Sequence, residues 1–248
     1  MIEKLVEIAA QAGEKMMDIY LNEDFENTVD FKADDSPLTI ADKASHEIID
    51  AALKENFPEI PVLSEEGKSI EKEERQSWDT FWCVDPLDGT KEFIKKNGEF
   101  TVNIALIKDG YPVCGVIYAP VLKTFYVGNG DSAFMIVDGE KTDISVNNRP
   151  VNRIAVRSKS HAAVEEEKVL EEYNVVDSIS VGSSLKFCMV AEGKADVYYR
   201  HGPTMEWDTA AGQAVLEGAG GKVLKLDGSR FSYNKDSLLN SSFLCLGF

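Results

Sequence analysis

Apolar residues at Ile2, Leu5, Val6, Ala9, Met16, Ile19 and Tyr20 recur at helical spacing and predict a helix over residues 2–21. A short strand is expected through Val29-Asp30-Phe31, and a loop at Asp34-Asp35-Ser36-Pro37. Thr39 with Asp42 three residues later fits a capping box, opening a helix whose predicted buried stripe is Ile40, Ala44, Ile48, Ala52 and Leu53, ending near Phe57-Pro58. Pro61 to Ser64 reads as a short strand running into Glu65-Glu66, and residues 68–77 as a charged, solvated connector. Phe81 to Val84 is an apolar run of strand length, which Asp85-Pro86 is expected to stop. Phe100–Lys108 and Tyr111–Ala119 flank Asp109-Gly110, a two-residue hairpin signal. Thr124–Val127 and Ala133–Val137 continue an antiparallel meander, with turns at Gly128-Asn129-Gly130 and Asp138-Gly139.

Beyond residue 150 the pattern alternates. Strands at Ile154–Val156, Val175–Ile179, Val197–Tyr199, Val223–Leu226 and Ser242–Leu246 interleave with three helices. One is charged and runs through Leu170 to Tyr173, one starts at Gly182-Ser183-Ser184, and one opens at Trp207-Asp208 and ends at Gly218-Ala219-Gly220-Gly221. The expected division is an α+β half over 1–150, with an antiparallel sheet, and an α/β half over 151–248. No internal repeat or low-complexity tract interrupts it.

Charge narrows the partners. With 26 basic and 43 acidic residues the formal charge is −17, a field that repels nucleic-acid polymers and anionic membranes. A small anionic ligand stays admissible, because divalent cations bridge carboxylates to phosphates. No apolar run is long enough to span a bilayer, and Met1-Ile2-Glu3-Lys4-Leu5 does not read as a secretory signal. Four separated cysteines without a Cys-x-x-Cys pair are expected to be buried free thiols in a reducing compartment.

The candidate chemistry lies in acids at element ends: Glu65, Asp85, Asp88 and Asp208. Asp85 and Asp88, three residues apart at a strand end, can face one cation. Thr90 and nearby backbone amides can face an anion. Magnesium takes oxygen ligands and is commonly held by a few carboxylates with substrate phosphate; the Leu87 carbonyl could join them, and two or three Mg²⁺ ions could be held. Thr90 paired with Asp42 could orient and deprotonate an attacking water. Blander readings stand beside these: Asp42 as a capping carboxylate only, and Glu65-Glu66 as the start of a charge run. No nucleophile elbow, Walker loop, Gly-x-Gly-x-x-Gly or His/Cys zinc cluster is present. An EF-hand loop starting at Asp85 fails at its twelfth position, where Lys96 stands.

Ser64-Glu65-Glu66, Asp85-Pro86-Leu87-Asp88-Gly89-Thr90 and Trp207-Asp208-Thr209-Ala210-Ala211-Gly212, in this order, resemble the inositol monophosphatase–fructose bisphosphatase superfamily of lithium-sensitive, Mg²⁺-dependent phosphatases. Lys91-Glu92-Phe93-Ile94, Asn97-Gly98-Glu99-Phe100-Thr101-Val102-Asn103 and Gly182-Ser183-Ser184-Leu185-Lys186-Phe187 are similar to its CysQ branch, the 3'(2'),5'-bisphosphate nucleotidases. The resemblance implies a layered αβαβα architecture. It implies Mg²⁺ held by Glu65, Asp85, the Leu87 carbonyl, Asp88 and Asp208, with Glu66 helping a third ion. It implies water activation by Asp42 and Thr90, and phosphate contacts from the Gly89 and Thr90 amides. It aligns Ser158, His161, Ser183 and Lys186 with nucleotide contacts; for His161 and Lys186 an ordinary exposed histidine and a solvated helix residue are equally open.

The implied reaction removes the 3'-phosphate of adenosine 3',5'-bisphosphate (PAP) to give AMP, with the sulfated analogue PAPS as a further substrate, in sulfur metabolism. The implied location is cytoplasmic, with peripheral attachment at the inner face of the inner membrane as an option, and a homodimer is compatible. An inositol or sugar phosphatase is the alternative within the superfamily, and a non-catalytic nucleotide or phosphate sensor the alternative outside it.

Overall fold

The computed structural model describes residues 1–22, 30–31, 37–158 and 164–248. Helix α1 (Ile2–Tyr20) buries Leu5, Ile8, Ala9, Ala12, Gly13 and Met16, one stripe at three- and four-residue spacing. The paired strands β1 (Asp30–Phe31) and β2 (Pro37–Leu38) follow. Val29 and most of the expected loop at 34–37 lie outside the described residues. Helix α2 (Ile40–Asn56) packs beside α1 and starts with the expected capping box. Its buried stripe differs from the expected one. Ala41, Asp42, Ser45, Ile49 and Leu53 face inward, while Ile40 is 44% exposed. The apolar periodicity misplaces the stripe because two inward positions are polar.

Strands β3 (Val62–Ser64), β4 (Thr80–Asp88), β5 (Thr101–Lys108), β6 (Tyr111–Ala119), β7 (Thr124–Asn129), β8 (Ser132–Val137) and β9 (Glu140–Asp143) form one seven-stranded sheet in chain order. The β3–β4 pair is parallel and the rest are antiparallel. Asp109 and Gly110, at φ 51° and 77°, make the expected hairpin turn between β5 and β6. Short helices α3 (Lys72–Arg75) and α4 (Thr90–Ile94) flank β4. Two elements depart from expectation. Asp85-Pro86 does not end β4, which runs on to Asp88 through a bulge. Strand β9 carries no apolar signal: its four residues Glu140 to Asp143 are all exposed on the sheet's outer edge.

The connector at 68–77 is also not simply solvated. Arg75 is buried, and its guanidinium donates to Asn234 Oδ1 (3.1 Å), the Lys235 carbonyl (2.5 Å) and the Asp236 carbonyl (2.8 Å). Arg75→Met should leave these acceptors unpaired and cost about 2 kcal/mol. A fall in the urea unfolding midpoint at unchanged slope is the expected measurement; an unchanged midpoint would mean that the connector contributes nothing to stability.

Strands β10 (Arg153–Arg157), β11 (Val175–Ser180), β12 (Val197–Arg200), β13 (Lys222–Lys225) and β14 (Phe243–Leu246) form a second sheet in the order β11-β10-β12-β14-β13. Helix α5 (Val164–Glu172) covers one face of it, around Leu170, Val197, Tyr199 and Leu244. Helices α6 (Leu185–Ala191) and α7 (Trp207–Gly218) fill the space between the two sheets. The layers are therefore α1/α2, seven-stranded sheet, α6/α7, five-stranded sheet and α5, the αβαβα order expected.

Because the seven-stranded sheet is covered on both faces, its central strands read as continuous apolar runs. Helix α7 lies very close to it. A Cβ placed on Gly128 would come within 2.1 Å of the Ala214 carbonyl oxygen, and one on Gly115 within 2.9 Å of Ala211 Cα. Glycines on the sheet and alanines on the helix set that spacing, and with it the distance of Asp208 from β4. Among the described residues, no helix is long and apolar enough to cross a membrane.

Candidate active site

The bulge in β4 builds the first part of the site. Asp85 pairs opposite Asn103 and Asp88 opposite Thr101, so three steps along β4 match two along β5. Asn103 and Thr101 lie on one face of their strand, and the extra residue therefore brings both aspartates to that face. An unbulged strand would have sent them to opposite faces. Pro86, which has no N–H for a ladder, sits in the bulge, and Ser45 of α2 donates to its carbonyl at 2.7 Å. The Leu87 amide donates to Asp85 Oδ1 at 3.1 Å. Gly89 follows at φ 95°, in the left-handed region, and starts α4. A side chain there would collide with the Ser183 hydroxyl.

Asp42 does two things at once. Its Oδ2 accepts from the Thr39 amide (2.7 Å) and hydroxyl (2.6 Å), closing the capping box. Its Oδ1 accepts from the Thr90 hydroxyl at 3.2 Å. The capping reading is thus correct, and it leaves one oxygen for chemistry. Burial pushes the Asp42 carboxyl above the usual range, with the charge of Glu66 adding to it and the Thr39 hydrogen bonds opposing.

The acids are placed within electrostatic reach of one another. Asp85 is buried, and its carboxyl is pushed well above the usual range by desolvation and by the charges of Glu65, Asp88 and Asp208. Asp208 is pushed the same way by desolvation and Asp88, against a hydrogen bond from the Met205 amide (2.9 Å) to its Oδ2. The donors are carboxylates and, at Leu87, a carbonyl. That chemistry fits Mg²⁺ and not zinc. The fit is one of charge and donor type. Among the described residues no three His, Cys, Asp or Glu side chains already form a closed metal cluster. Each of three acids has an oxygen on a protein donor: Asp85 on the Leu87 amide, Asp88 on the Ser184 hydroxyl and Asp208 on the Met205 amide.

Glu65, Asp88, Gly89, Thr90, Ser158, Ser183, Lys186 and Asp208 all line one cavity of about 290 Å³. Asp42, Asp85, Leu87 and Glu66 lie outside its wall, and His161 lies outside the described residues. Ser183, at φ 51°, has its hydroxyl close to the Asp88 carbonyl (2.9 Å) and the Glu99 carbonyl (2.6 Å), so it joins the two halves of the chain as well as facing the cavity. Lys186 is not a solvated helix residue. It is 7% exposed, donates to the Ser183 carbonyl at 2.7 Å, and is pushed down in pKa by burial, with Asp88 opposing.

Several residues escaped the sequence reading. Arg200 lines the same cavity as the acids, and its buried Nε has no hydrogen-bond partner among the described residues. Its signal was available, since it is a charged residue at the end of a strand, as the acids are. Asn103 and Ser184 contact Asp88 directly. Asn103 and Ser184 stand in segments that carry the resemblance, but neither was given a role there; locally, Asn103 is marked only as a polar residue inside the apolar run Val102 to Ile107. His46 Nδ1 lies 3.0 Å from Ser64 Oγ, beside Glu65, a pairing that no local pattern announces.

Comparison with known proteins shows the family and the fold. Residues 1–244 match the Inositol monophosphatase family. The chain is 46% identical over 247 residues to the 3'(2'),5'-bisphosphate nucleotidase CysQ of Salmonella typhimurium, covering 98% of each chain. It is 42% identical to the protein of the same name from Buchnera aphidicola, covering 100% of this chain and 92% of the relative. Its structure is similar to that of CysQ from Bacteroides thetaiotaomicron, with a TM-score of 0.86 at 44% identity over 99% of this chain and 96% of the other. A Thermotoga maritima IMPase has the same fold, with a TM-score of 0.78 at 22% identity over 99% and 91% of the two chains.

Proposed function

The chain belongs to the inositol monophosphatase family, and from that premise we propose that it is a Mg²⁺-dependent phosphatase that removes the 3'-phosphate of adenosine 3',5'-bisphosphate. The full-length likeness to proteins named 3'(2'),5'-bisphosphate nucleotidase supports this choice within the family. One observation of the site carries it. The acids Glu65, Asp88 and Asp208 share a single cavity with the basic residues Lys91, Lys186 and Arg200. An inositol monophosphate has no second phosphate for these basic residues, whereas a nucleotide bisphosphate has one.

Glu65, Asp85, Asp88, Asp208 and the Leu87 carbonyl would hold two or three Mg²⁺ ions, with Glu66 supporting the third. When bound, Mg²⁺ supplies Lewis-acid stabilisation of the phosphoryl oxygens and makes water a stronger nucleophile. The Gly89 and Thr90 amides receive the phosphate. Thr90 holds the attacking water, and Asp42 Oδ1, hydrogen-bonded to Thr90, takes up the proton. Ser158, His161, Ser183 and Lys186 serve the nucleotide, with Arg200 added to them. PAPS, which carries the same 3'-phosphate, would be a second substrate. The buried free cysteines, Cys83, Cys114, Cys188 and Cys245, suit a reducing cytoplasm.

Phosphate release at fixed Mg²⁺ tests the substrate. Adenosine 3',5'-bisphosphate should be hydrolysed faster than inositol 1-phosphate; the reverse order would make the protein an inositol phosphatase. Arg200→Met should raise KM for the bisphosphate about 10–100-fold, the worth of charge-assisted hydrogen bonds, and leave KM for 3'-AMP nearly unchanged. Equal effects on both substrates would remove Arg200 from recognition of the second phosphate.

A further inference from the structure

We propose that Asn103 and Ser184 are positioning residues that fix the Asp88 carboxylate and thereby set the affinity of the site for its divalent cation. The proposal rests on the reading of Asp88 as a cation ligand. Both side chains reach the same oxygen. Ser184 Oγ donates to Asp88 Oδ2 at 2.6 Å, and Asn103 Nδ2 donates to it at 3.3 Å. The two are also joined to each other, Asn103 Nδ2 donating to Ser184 Oγ at 2.8 Å. The orientation of the Asn103 amide is fixed from behind, where Thr101 Oγ1 donates to its Oδ1 at 3.0 Å. Thr101, Asn103 and Ser184 are each 1% exposed or less.

Geometry gives this chain a direction. Asp88 Oδ2 is occupied by protein donors, which leaves Oδ1 for a cation in the cavity that Asp88 lines with Glu65 and Asp208. Ser184 Oγ also lies 3.2 Å from the Asp208 carbonyl oxygen, so one hydroxyl touches residues of two candidate ligands. Its neighbours come from different layers. Asn103 and Asp88 belong to the seven-stranded sheet, while Ser184 precedes α6 in the second half. The contact therefore holds the acid on β4 in register with the acid on α7.

Packing alone does not account for Asn103. It sits in a strand covered on both faces, where an amide is costly to bury unless every polar atom is paired, and an apolar residue would fill the space without that requirement. Hydrogen bonds that orient a ligating carboxylate commonly alter metal affinity by about 10–100-fold.

The test is Mn²⁺ binding to the purified full-length protein without substrate, followed by calorimetry, together with the Mg²⁺ half-saturation of hydrolysis. Ser184→Ala should weaken Mn²⁺ binding about tenfold and raise the Mg²⁺ half-saturation similarly, with kcat largely recovered at saturating Mg²⁺. Asn103→Leu should act in the same direction, and the double variant should fall short of the sum because both act on one oxygen. A purely structural role would lower the melting temperature of the metal-free protein and leave binding unchanged. Wild-type Mn²⁺ affinity in Ser184→Ala, beside lost affinity in Asp88→Asn, overturns the positioning role alone. Wild-type affinity in Asp88→Asn overturns the ligand reading and the proposal with it. If Asn103→Leu does not fold, Ser184→Ala decides by itself.

Discussion

Asp42→Asn should lower kcat by about 10²–10⁴-fold, the usual worth of a positioned general base, while cation binding and the fold persist. The carboxylate has two oxygens with separate tasks: Oδ2 closes the capping box with Thr39 and Oδ1 receives the Thr90 hydroxyl. An asparagine has one oxygen. If that oxygen stays on the Thr39 amide, the amide nitrogen faces Thr90 and cannot accept a proton. The helix start survives at a cost of about 1 kcal/mol or less. The same variant separates enzyme from sensor. A protein that only binds its nucleotide needs Asp42 for the cap alone, and the substitution would then leave ligand affinity intact with no hydrolysis to lose. Rapid-quench phosphate release with saturating Mg²⁺ measures the chemical step; retention of full hydrolysis would sink the role assigned to Asp42.

Asp85→Asn should change activity and stability in opposite directions. Asp85 is 1% exposed and repelled by three neighbouring acids. As a cation ligand it is needed for turnover, and its neutral isostere should cost on the order of 10²–10³-fold or more. In EDTA the same change removes a buried negative charge, so the metal-free variant should melt higher than the metal-free wild type. Addition of Mg²⁺ should then stabilise the wild type strongly and the variant little. The pH dependence has a definite sign. A carboxyl whose folded pKa lies above its unfolded value contributes stability below the unfolded value, and loses it as pH rises through the folded value. The metal-free wild type should therefore gain stability on acidification from neutral pH, and Asp85→Asn should gain less. Calorimetric melting in EDTA across pH checks both statements. A variant less stable than wild type under those conditions would mean that Asp85 is satisfied by the protein alone.

Much of the fold is legible along the chain because it is written locally. The capping box at Thr39 and Asp42, the Asp109-Gly110 hairpin and the apolar runs of the doubly covered sheet each follow from a few adjacent residues. The acids were legible for a related reason, since they stand at the ends of such runs. What stayed hidden depends on partners distant in sequence. Ser184 meets Asp88 across 96 positions, and Arg75 finds its acceptors about 160 positions away. The α2 stripe was misplaced because Asp42 and Ser45 are buried for the sake of Thr90 and Pro86, which hydropathy does not record. The β4 bulge was hidden in the same way. Read locally, Asp85-Pro86 is a stop signal; paired with β5, it is the extra residue that gathers two acids on one face.

Strand β9 was missed because Glu140, Lys141, Thr142 and Asp143 offer nothing apolar, and that same composition decides how the protein behaves in a crowded solution. A sheet of seven strands ends in a row of unpaired amides and carbonyls that another chain could extend. Here the last strand is four residues long, exposed throughout and charged at three of its four positions. A second molecule adding a strand there would have to bury those charges. A short, charged edge of this kind disfavours strand addition by a second molecule.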